Sequence, residues 1–272
     1  GKQVSQMSPK LLMKVSTVQS QIQTGIEPMK HKGKSEKHQI YCDWRYSTHK
    51  VWFFSSIYKC LRLRLPVCLL CTCLGGSVYC DDLKLNRVPP LPKDTTHFYA
   101  RYNRITEISK SDFANMNKLK KIDLTANRIT SIEDRTFMGL PELEEVIIRE
   151  NHISQLPALP ETMTLIDASH NNIGSKGIHK EAFKDMTGLL YLYLTDNDVD
   201  YIPVPLPDSL RSLHLQRNNI QMMHEDTFCN LNDFNYIRNA LEDIRLDGNP
   251  INLSKTPQAY VCLPRIPIGN LI

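Results

Sequence analysis

Leu189–Val199 reads LLYLYLTDNDV and Leu210–Ile220 reads LRSLHLQRNNI, two copies of the phrase L-x-x-L-x-L-x-x-N-x-L with conservative substitutions. Working outward, the phrase returns as LKKIDLTANRI (Leu119–Ile129), LEEVIIRENHI (Leu143–Ile153), MTLIDASHNNI (Met163–Ile173) and LEDIRLDGNPI (Leu241–Ile251). A weaker copy, TTHFYARYNRI, occupies Thr95–Ile105. The asparagines stand at 103, 127, 151, 171, 197, 218 and 249, in steps of 24, 24, 20, 26, 21 and 31 residues. A phrase repeated at this period marks stacked units and not one wrapped core.

Each part of the phrase has a physical reading. The L-x-L centre is a short strand whose apolar residues point inward while the alternate residues point out. No single unit can bury its apolar face alone, so the units stack and their strands form a parallel sheet on the concave side. The asparagine sits where the chain leaves the strand, and its side chain can bond backbone groups freed at that turn. Seven in register predict a buried polar ladder, tolerable only if every member is satisfied. The intervals between copies are of two kinds. The longer ones carry Phe113, Phe137, Phe183 and Phe228, read as core of the convex side, and predict a turn of helix. The shorter ones, LPALPET and IPVPLPDS, predict extended, polyproline-like runs. The fold class is therefore α/β and β-rich: a leucine-rich-repeat solenoid, or horseshoe.

Charge divides the chain. Residues 1–67 hold 12 Lys/Arg against 3 Asp/Glu, which leaves 21 against 26 for residues 68–272 out of the chain totals of 33 and 29. The repetitive part is mildly acidic, and this argues against nucleic acid as a partner. The run Val51–Tyr58 is too short to span a bilayer, so membrane insertion is not expected. The start, GKQVSQMSPKLLMKV, shows neither an initiator Met nor an apolar stretch of signal-peptide length. Residues 1–65 are read as a basic N-terminal segment, disordered or mispredicted. Residues 66–94 are read as a cysteine-rich cap, and 95–272 as the repeats with a C-terminal cap.

Six of the eight cysteines lie at the ends of the repeats and none lies inside them. Cys68, Cys71, Cys73 and Cys80 precede the first copy, and Cys229 and Cys262 bracket the last. C-x2-C could suggest zinc, but no second such pair or paired histidines complete a site, whereas disulfide caps suit a solenoid end in an oxidising compartment. Spacing alone leaves three pairings for the first four, and leaves the partners of Cys42 and Cys60 open.

The arrangement C-x2-C-x-C-x6-C, about seven repeats and a long, cysteine-bearing penultimate interval resembles one class of the small leucine-rich proteoglycans. The stretches CLLCTCLGGSVYCDD and ALEDIRLDGNPINLSKTPQAYVCLPRIPIG carry most of the likeness, which covers roughly residues 66–272. The resemblance implies pairing of Cys68 with Cys73, Cys71 with Cys80, and Cys229 with Cys262. It further implies a secreted protein of the extracellular matrix, cartilage among its settings, that binds collagen or other matrix components and can pair with a second copy through its concave face. The chain departs from the family before the cap. An acidic extension is expected there, yet Tyr41, Tyr46 and Tyr58 lack acidic neighbours and no Ser-Gly dipeptide occurs.

Outward strand positions define the candidate binding face: Arg101, Asp123, Ile147, Arg149, Leu165, Asp167, Tyr191, Tyr193, His214 and Arg245. Ile147, Leu165, Tyr191 and Tyr193 form an apolar and aromatic middle within a charged rim, the composition of a protein-binding hot spot. Asn252-Leu253-Ser254 is the single N-x-[ST] sequon and the candidate glycosylation site. Asp167 with His170, or His214 with nearby acids, makes at most a dyad, and no nucleophile elbow, phosphate loop or metal triad accompanies it. The expectation is a non-catalytic binding protein without cofactor or metal. The alternative is a signalling module that sequesters a growth factor or engages a receptor, and the third reading is a structural spacer.

Overall fold

The structure, a computed structural model, describes residues 67–271 apart from Phe234. The expectations for residues 1–65, and for Cys42 and Cys60, lie outside the described residues. A four-residue helix α1 (Val67–Leu70) leads into the hairpin strands β1 (Thr72–Leu74) and β2 (Ser77–Tyr79). There follow β3 (His97–Tyr99), β4 (Glu107–Ile108), β5 (Lys121–Asp123), β6 (Ser131–Ile132) and β7 (Glu145–Ile147). The series ends with β8 (Leu165–Asp167), β9 (Tyr191–Tyr193), β10 (Ser212–His214) and β11 (Asp243–Arg245). Nine of these form one sheet in the order β1-β2-β3-β5-β7-β8-β9-β10-β11, parallel throughout except for the β1–β2 hairpin. Strands β4 and β6 pair on the opposite side of the solenoid.

Every phrase copy becomes one three-residue strand, and its middle residue faces the core. Phe98, Ile122, Val146, Ile166, Leu192, Leu213 and Ile244 lie side by side in register, all at most 4% exposed. On the other side Phe113, Phe137, Phe183 and Phe228 are also at most 2% exposed, and Phe113 packs between Phe98 and Phe137 at 6.2 and 5.9 Å. Each such side chain contributes about 1.5–3 kcal/mol of transfer free energy.

The turn of helix expected in the long intervals forms at Phe113 as a 3-10 helix and gives way to single turns at Phe137 and Phe183. Lys110–Phe113 is a 3-10 turn, and the Phe137 and Phe183 intervals are chains of three-residue turns, Leu140 N to Phe137 O and then Leu143 N to Leu140 O, for example. The Phe113 and Phe137 intervals have 13 residues each and the Phe183 interval 15, and each must cross the whole side of the solenoid. A 3-10 turn rises about 2.0 Å per residue against 1.5 Å in an α-helix, so the tighter turn covers the distance.

The asparagine ladder is present, and it does more than close its own turn. Asn151 accepts a hydrogen bond from Ile129 N of the preceding unit at 3.0 Å and donates to Leu124 O of that unit at 3.1 Å. Its amide also donates to Ile148 O and Arg149 O of its own unit. The same pattern links Asn127, Asn171, Asn197, Asn218 and Asn249 to the unit before each, and Asn103 to Cys80 O, Leu83 N and Leu85 N of the cap. The residue before each asparagine is left-handed: Tyr102, Ala126, Glu150, His170, Asp196, Arg217 and Gly248 have φ between 48° and 75°. That twist costs an L-residue roughly 1–2 kcal/mol. It is offset because the twisted residue's N–H reaches a carbonyl of the next unit, as Glu150 N reaches Ser169 O at 3.0 Å. Only the last position uses glycine, where a Cβ would stand 2.8 Å from Arg217 Cγ.

Both ends are closed. At the start, Gly75 and Gly76 supply the two positive φ values, 54° and 83°, that a two-residue hairpin turn needs, and the Cys71–Cys80 disulfide ties the hairpin together. Cys68 and Cys73 are disulfide-bonded as well, so all four cap thiols are oxidised and offer no thiolate to zinc. At the far end Cys229 bonds to Cys262. The tail beyond it covers the edge of β11: Ile268 N donates to Ile244 O at 2.8 Å and Leu246 N to Ile268 O at 2.7 Å. Arg238, 6% exposed, pins the long last interval by donating to Leu206 O and Pro207 O.

Replacing Asn151 by Ala orphans buried backbone groups in two units at once. At about 1–3 kcal/mol per unsatisfied group, the variant should lose roughly 2–4 kcal/mol in urea unfolding, while Asn172→Ala on the exposed turn stays within about 0.5. Cys262→Ser should cost about 2–5 kcal/mol and lower Tm in a calorimetric scan. An unchanged Tm would remove the Cys229–Cys262 bridge from the list of features that close the solenoid.

Candidate functional site

Register places the outward residues of the sheet in two rows. One runs Ser77, His97, Lys121, Glu145, Leu165, Tyr191, Ser212, Asp243; the other runs Tyr79, Tyr99, Asp123, Ile147, Asp167, Tyr193, His214, Arg245. Two residues further on, Arg101 and Arg149 stand on the same face. Of the candidate residues, Arg101, Ile147, Arg149, Leu165, Tyr191, Tyr193, His214 and Arg245 are half-buried and reach the surface.

Asp123 and Asp167 do not, at 6% and 9% exposure, and this corrects their reading as exposed rim charges. Each is the last residue of its strand and folds back on its own chain. Asp123 Oδ1 accepts from Thr125 N at 3.1 Å and Thr125 Oγ1 at 2.7 Å, and Asp167 Oδ1 accepts from Ser169 N at 3.0 Å. The alternation that puts them on the outer face is right, but the turn-forming chemistry of a short carboxylate holds them against the sheet.

The N-terminal end of the face is aromatic and ion-paired. Tyr79 of the cap stacks on Tyr99 with centroids 4.8 Å apart and planes 2° apart. The Arg101 and Lys121 cations lie 5.6 and 5.9 Å from the Tyr99 ring. Both are balanced: Arg101 bonds Asp81 at 2.6 Å and Lys121 bonds Glu145 at 2.6 Å. The middle, where β7, β8 and β9 adjoin, is Ile147, Leu165, Tyr191 and Tyr193. At the C-terminal end Tyr193 packs on His214 with centroids 4.5 Å apart. Asp243 Oδ2 accepts from Ser212 Oγ at 2.8 Å and lies 2.7 Å from His214 Nε2. Burial raises the Asp243 carboxyl, but the hydrogen bonds from His214 and Ser212 outweigh it and hold the group below its ordinary value.

The serine and the histidine both address the carboxylate. A nucleophilic relay needs the histidine to face the serine, and here it does not. Among the described residues no helix is long and apolar enough to cross a membrane.

Comparison with known proteins agrees with this geometry. The family model for Leucine rich repeat matches residues 96–153, and a second, Leucine Rich Repeat, matches 209–231. Epiphycan of Gallus gallus is 66% identical over 208 residues, which is 76% of this chain and 66% of that protein. Mimecan of Mus musculus is 50% identical over 206 residues, 76% of this chain and 69% of that protein. The chain belongs to the small leucine-rich proteoglycan family. Opticin of Mus musculus is 52% identical over 206 residues, 76% of this chain and 63% of that protein. The chain spans 64–66% of the length of the epiphycans it matches. Among solved structures, the TLR13-ssRNA13 complex shares the fold, at 23% identity and a TM-score of 0.54, over 74% of this chain and 28% of that one.

These proteoglycan relatives belong to the extracellular matrix. The sequon of this member sits at a 3-10 turn past the last ladder asparagine, with Asn252 Oδ1 accepting from Ser254 N at 2.9 Å and Ser254 Oγ at 2.6 Å. Sequence reasoning missed Tyr79 and Asp81, because the strand alternation was not carried back into the cap. It also missed Arg211 and Glu242, one residue before their strands, which line the groove beside Tyr191 and Tyr193.

A separate charge chain crosses three units at the twisted turn positions: His170 Nδ1 lies 3.1 Å from Asp196 Oδ2, and Asp196 also binds Arg217. The Arg217 guanidinium holds the Asp196 carboxyl below its ordinary value against a smaller opposing effect of burial, and His170 lowers it further. A depressed carboxyl stabilises the fold above its unfolded pKa, near 3.9 by model peptides, and that stability is lost as pH falls through the folded value. Urea midpoints measured from about pH 6 to pH 3 should therefore fall less steeply for Asp196→Asn than for the parent chain. Parallel curves would remove Asp196 from the acid response.

Proposed function

We propose that this family member is a secreted, non-catalytic matrix protein that binds fibrillar collagen, or another matrix protein, across the outer face of its sheet and so helps organise the matrix. The observation that carries the reading is the continuous half-buried patch of Ile147, Leu165, Tyr191 and Tyr193 over three adjoining strands, flanked by the ion pairs Arg101–Asp81 and Lys121–Glu145 and by the His214–Asp243 contact. Large apolar and aromatic groups at the centre of a rigid face are where binding energy concentrates, while balanced rim charges contribute register and little affinity. The family relationship supports a matrix setting, with Asn252 glycosylated and Cys68 paired with Cys73 in the secreted form. A second copy of the chain is the competing occupant of the same face.

The full chain, titrated onto immobilised fibrillar collagen, should bind saturably. Leu165→Asp together with Ile147→Asp should weaken that binding at least tenfold, about 1.4 kcal/mol or more. Met222→Ser, an exposed apolar residue away from the strands, should leave it unchanged. Absence of saturable binding, or equal affinity of the double variant, would count against the reading. Sedimentation of the same samples reports whether the double variant instead breaks a dimer.

A further inference from the structure

Where β9, β10 and β11 adjoin, the sheet face dips into a groove of about 440 Å³. Tyr191, Tyr193, Arg211, Ser212, Glu242 and Asp243 line it. The longest interval of the solenoid, between Asn218 and Asn249, separates the two strands on its C-terminal side. The volume falls within the roughly 300–1,000 Å³ typical of small-ligand sites.

The chemistry of the walls narrows the ligand. Two aromatic rings stand 6.3 Å apart at 44° to each other. Beside them the walls hold two carboxylates, Glu242 and Asp243, and the Arg211 guanidinium, while Arg245 stands outside the walls, two residues past Asp243 on β11. The walls carry both signs, with Arg245 acting on Asp243 from outside, so the groove has no single-sign field of the kind that selects a lone ammonium or a sulfate. What remains is a dense set of donors and acceptors next to aromatic surface. Asp243 is held in place by Ser212 and His214 before any ligand arrives, which lowers the ordering cost of binding. A neutral ring with hydroxyls on its edge and C–H groups on its face fits all of these features.

We propose that this groove is a saccharide subsite that takes one or two neutral hexose units of a glycan carried by a matrix partner. The inference rests on the proposed function only in treating the outer sheet face as the one that meets partners. The test is saturation-transfer NMR on the full chain with cellobiose, lactose and maltose at ~10 mM, a concentration that saturates a site of millimolar Kd. A heparin disaccharide and Nα-acetyl-lysine methylamide serve as charged probes. At least one neutral disaccharide should give saturable transfer. That transfer should weaken roughly tenfold in Tyr191→Ala and at least severalfold in Glu242→Gln, both of which replace surface groups and preserve the circular dichroism of the fold. Either charged probe should bind more weakly than the best neutral one. No transfer from any of the three sugars, transfer indifferent to Tyr191→Ala, or tighter binding of a charged probe overturns the subsite. Loss of the sugar response with collagen binding intact overturns the subsite alone. Loss of collagen binding with the sugar response intact overturns only the broader reading.

Discussion

Everything in this molecule depends on one demand: the backbone leaving each strand must find hydrogen-bond partners inside a dry interior. Three-residue strands are too short to satisfy the turn that follows, and the next unit offers only backbone. The asparagine amide solves this because it carries an acceptor and two donors in one plane. Asn151 uses them all, reaching Ile129 N, Leu124 O, Ile148 O and Arg149 O. Aspartate would lack the donors and serine would lack the reach. The same demand explains why seven successive units accept a left-handed residue just before the asparagine, six of them without glycine. In the six non-glycine cases the strain aims the twisted residue's N–H at the next unit, so the unfavourable conformation is tied to a favourable bond.

With the rotation of every unit fixed by its rung, the outer sheet face is set too, and its side chains are largely free of structural duty. Asp123 and Asp167 are the exceptions, since they serve their own turns. The remaining face sorts into an aromatic, ion-paired N-terminal end, an apolar middle and a polar C-terminal groove. Tyr79 and Tyr99 stack at one end of this face, and Tyr191 and Tyr193 stand further along the same two registered rows, with β5, β7 and β8 between. The side chains of such an array are ordered by the fold itself, so their ordering cost is met during folding.

The strands, their inward residues and the ladder were legible because period-2 alternation and a fixed asparagine are local signals that stacking only reinforces. The Cys229–Cys262 pair was implied by family likeness and is formed in the structure. What escaped the sequence depends on geometry between units. The long intervals carry helix-compatible residues such as those of HKEAFKDM, yet the distance across the solenoid selects the faster-rising turn. The burial of Asp123 and Asp167 needed the local hydrogen bonds to be seen. Arg211 and Glu242 lie outside the repeated phrase, so no periodic argument marks them, and only the long gap between Asn218 and Asn249 hinted that something lay beside β10.

The two ends show the same constraint met by different means. A parallel stack cannot close itself, because each end exposes an unpaired strand edge and an apolar cross-section. At the start the chain reverses direction: β1 runs antiparallel to β2 through a turn that only paired glycines make easily, and Cys71–Cys80 keeps the hairpin from opening. At the finish the chain keeps its direction, and Ile268 adds a parallel bridge to Arg245 in place of a further unit. A bridge of one residue cannot hold itself by hydrogen bonds alone. It follows that the Cys229–Cys262 link and the buried Arg238, which fix the segment leading to it, are as much a part of the last strand's stability as its own backbone bonds. The outer sheet face extends to β11 only because that edge is covered.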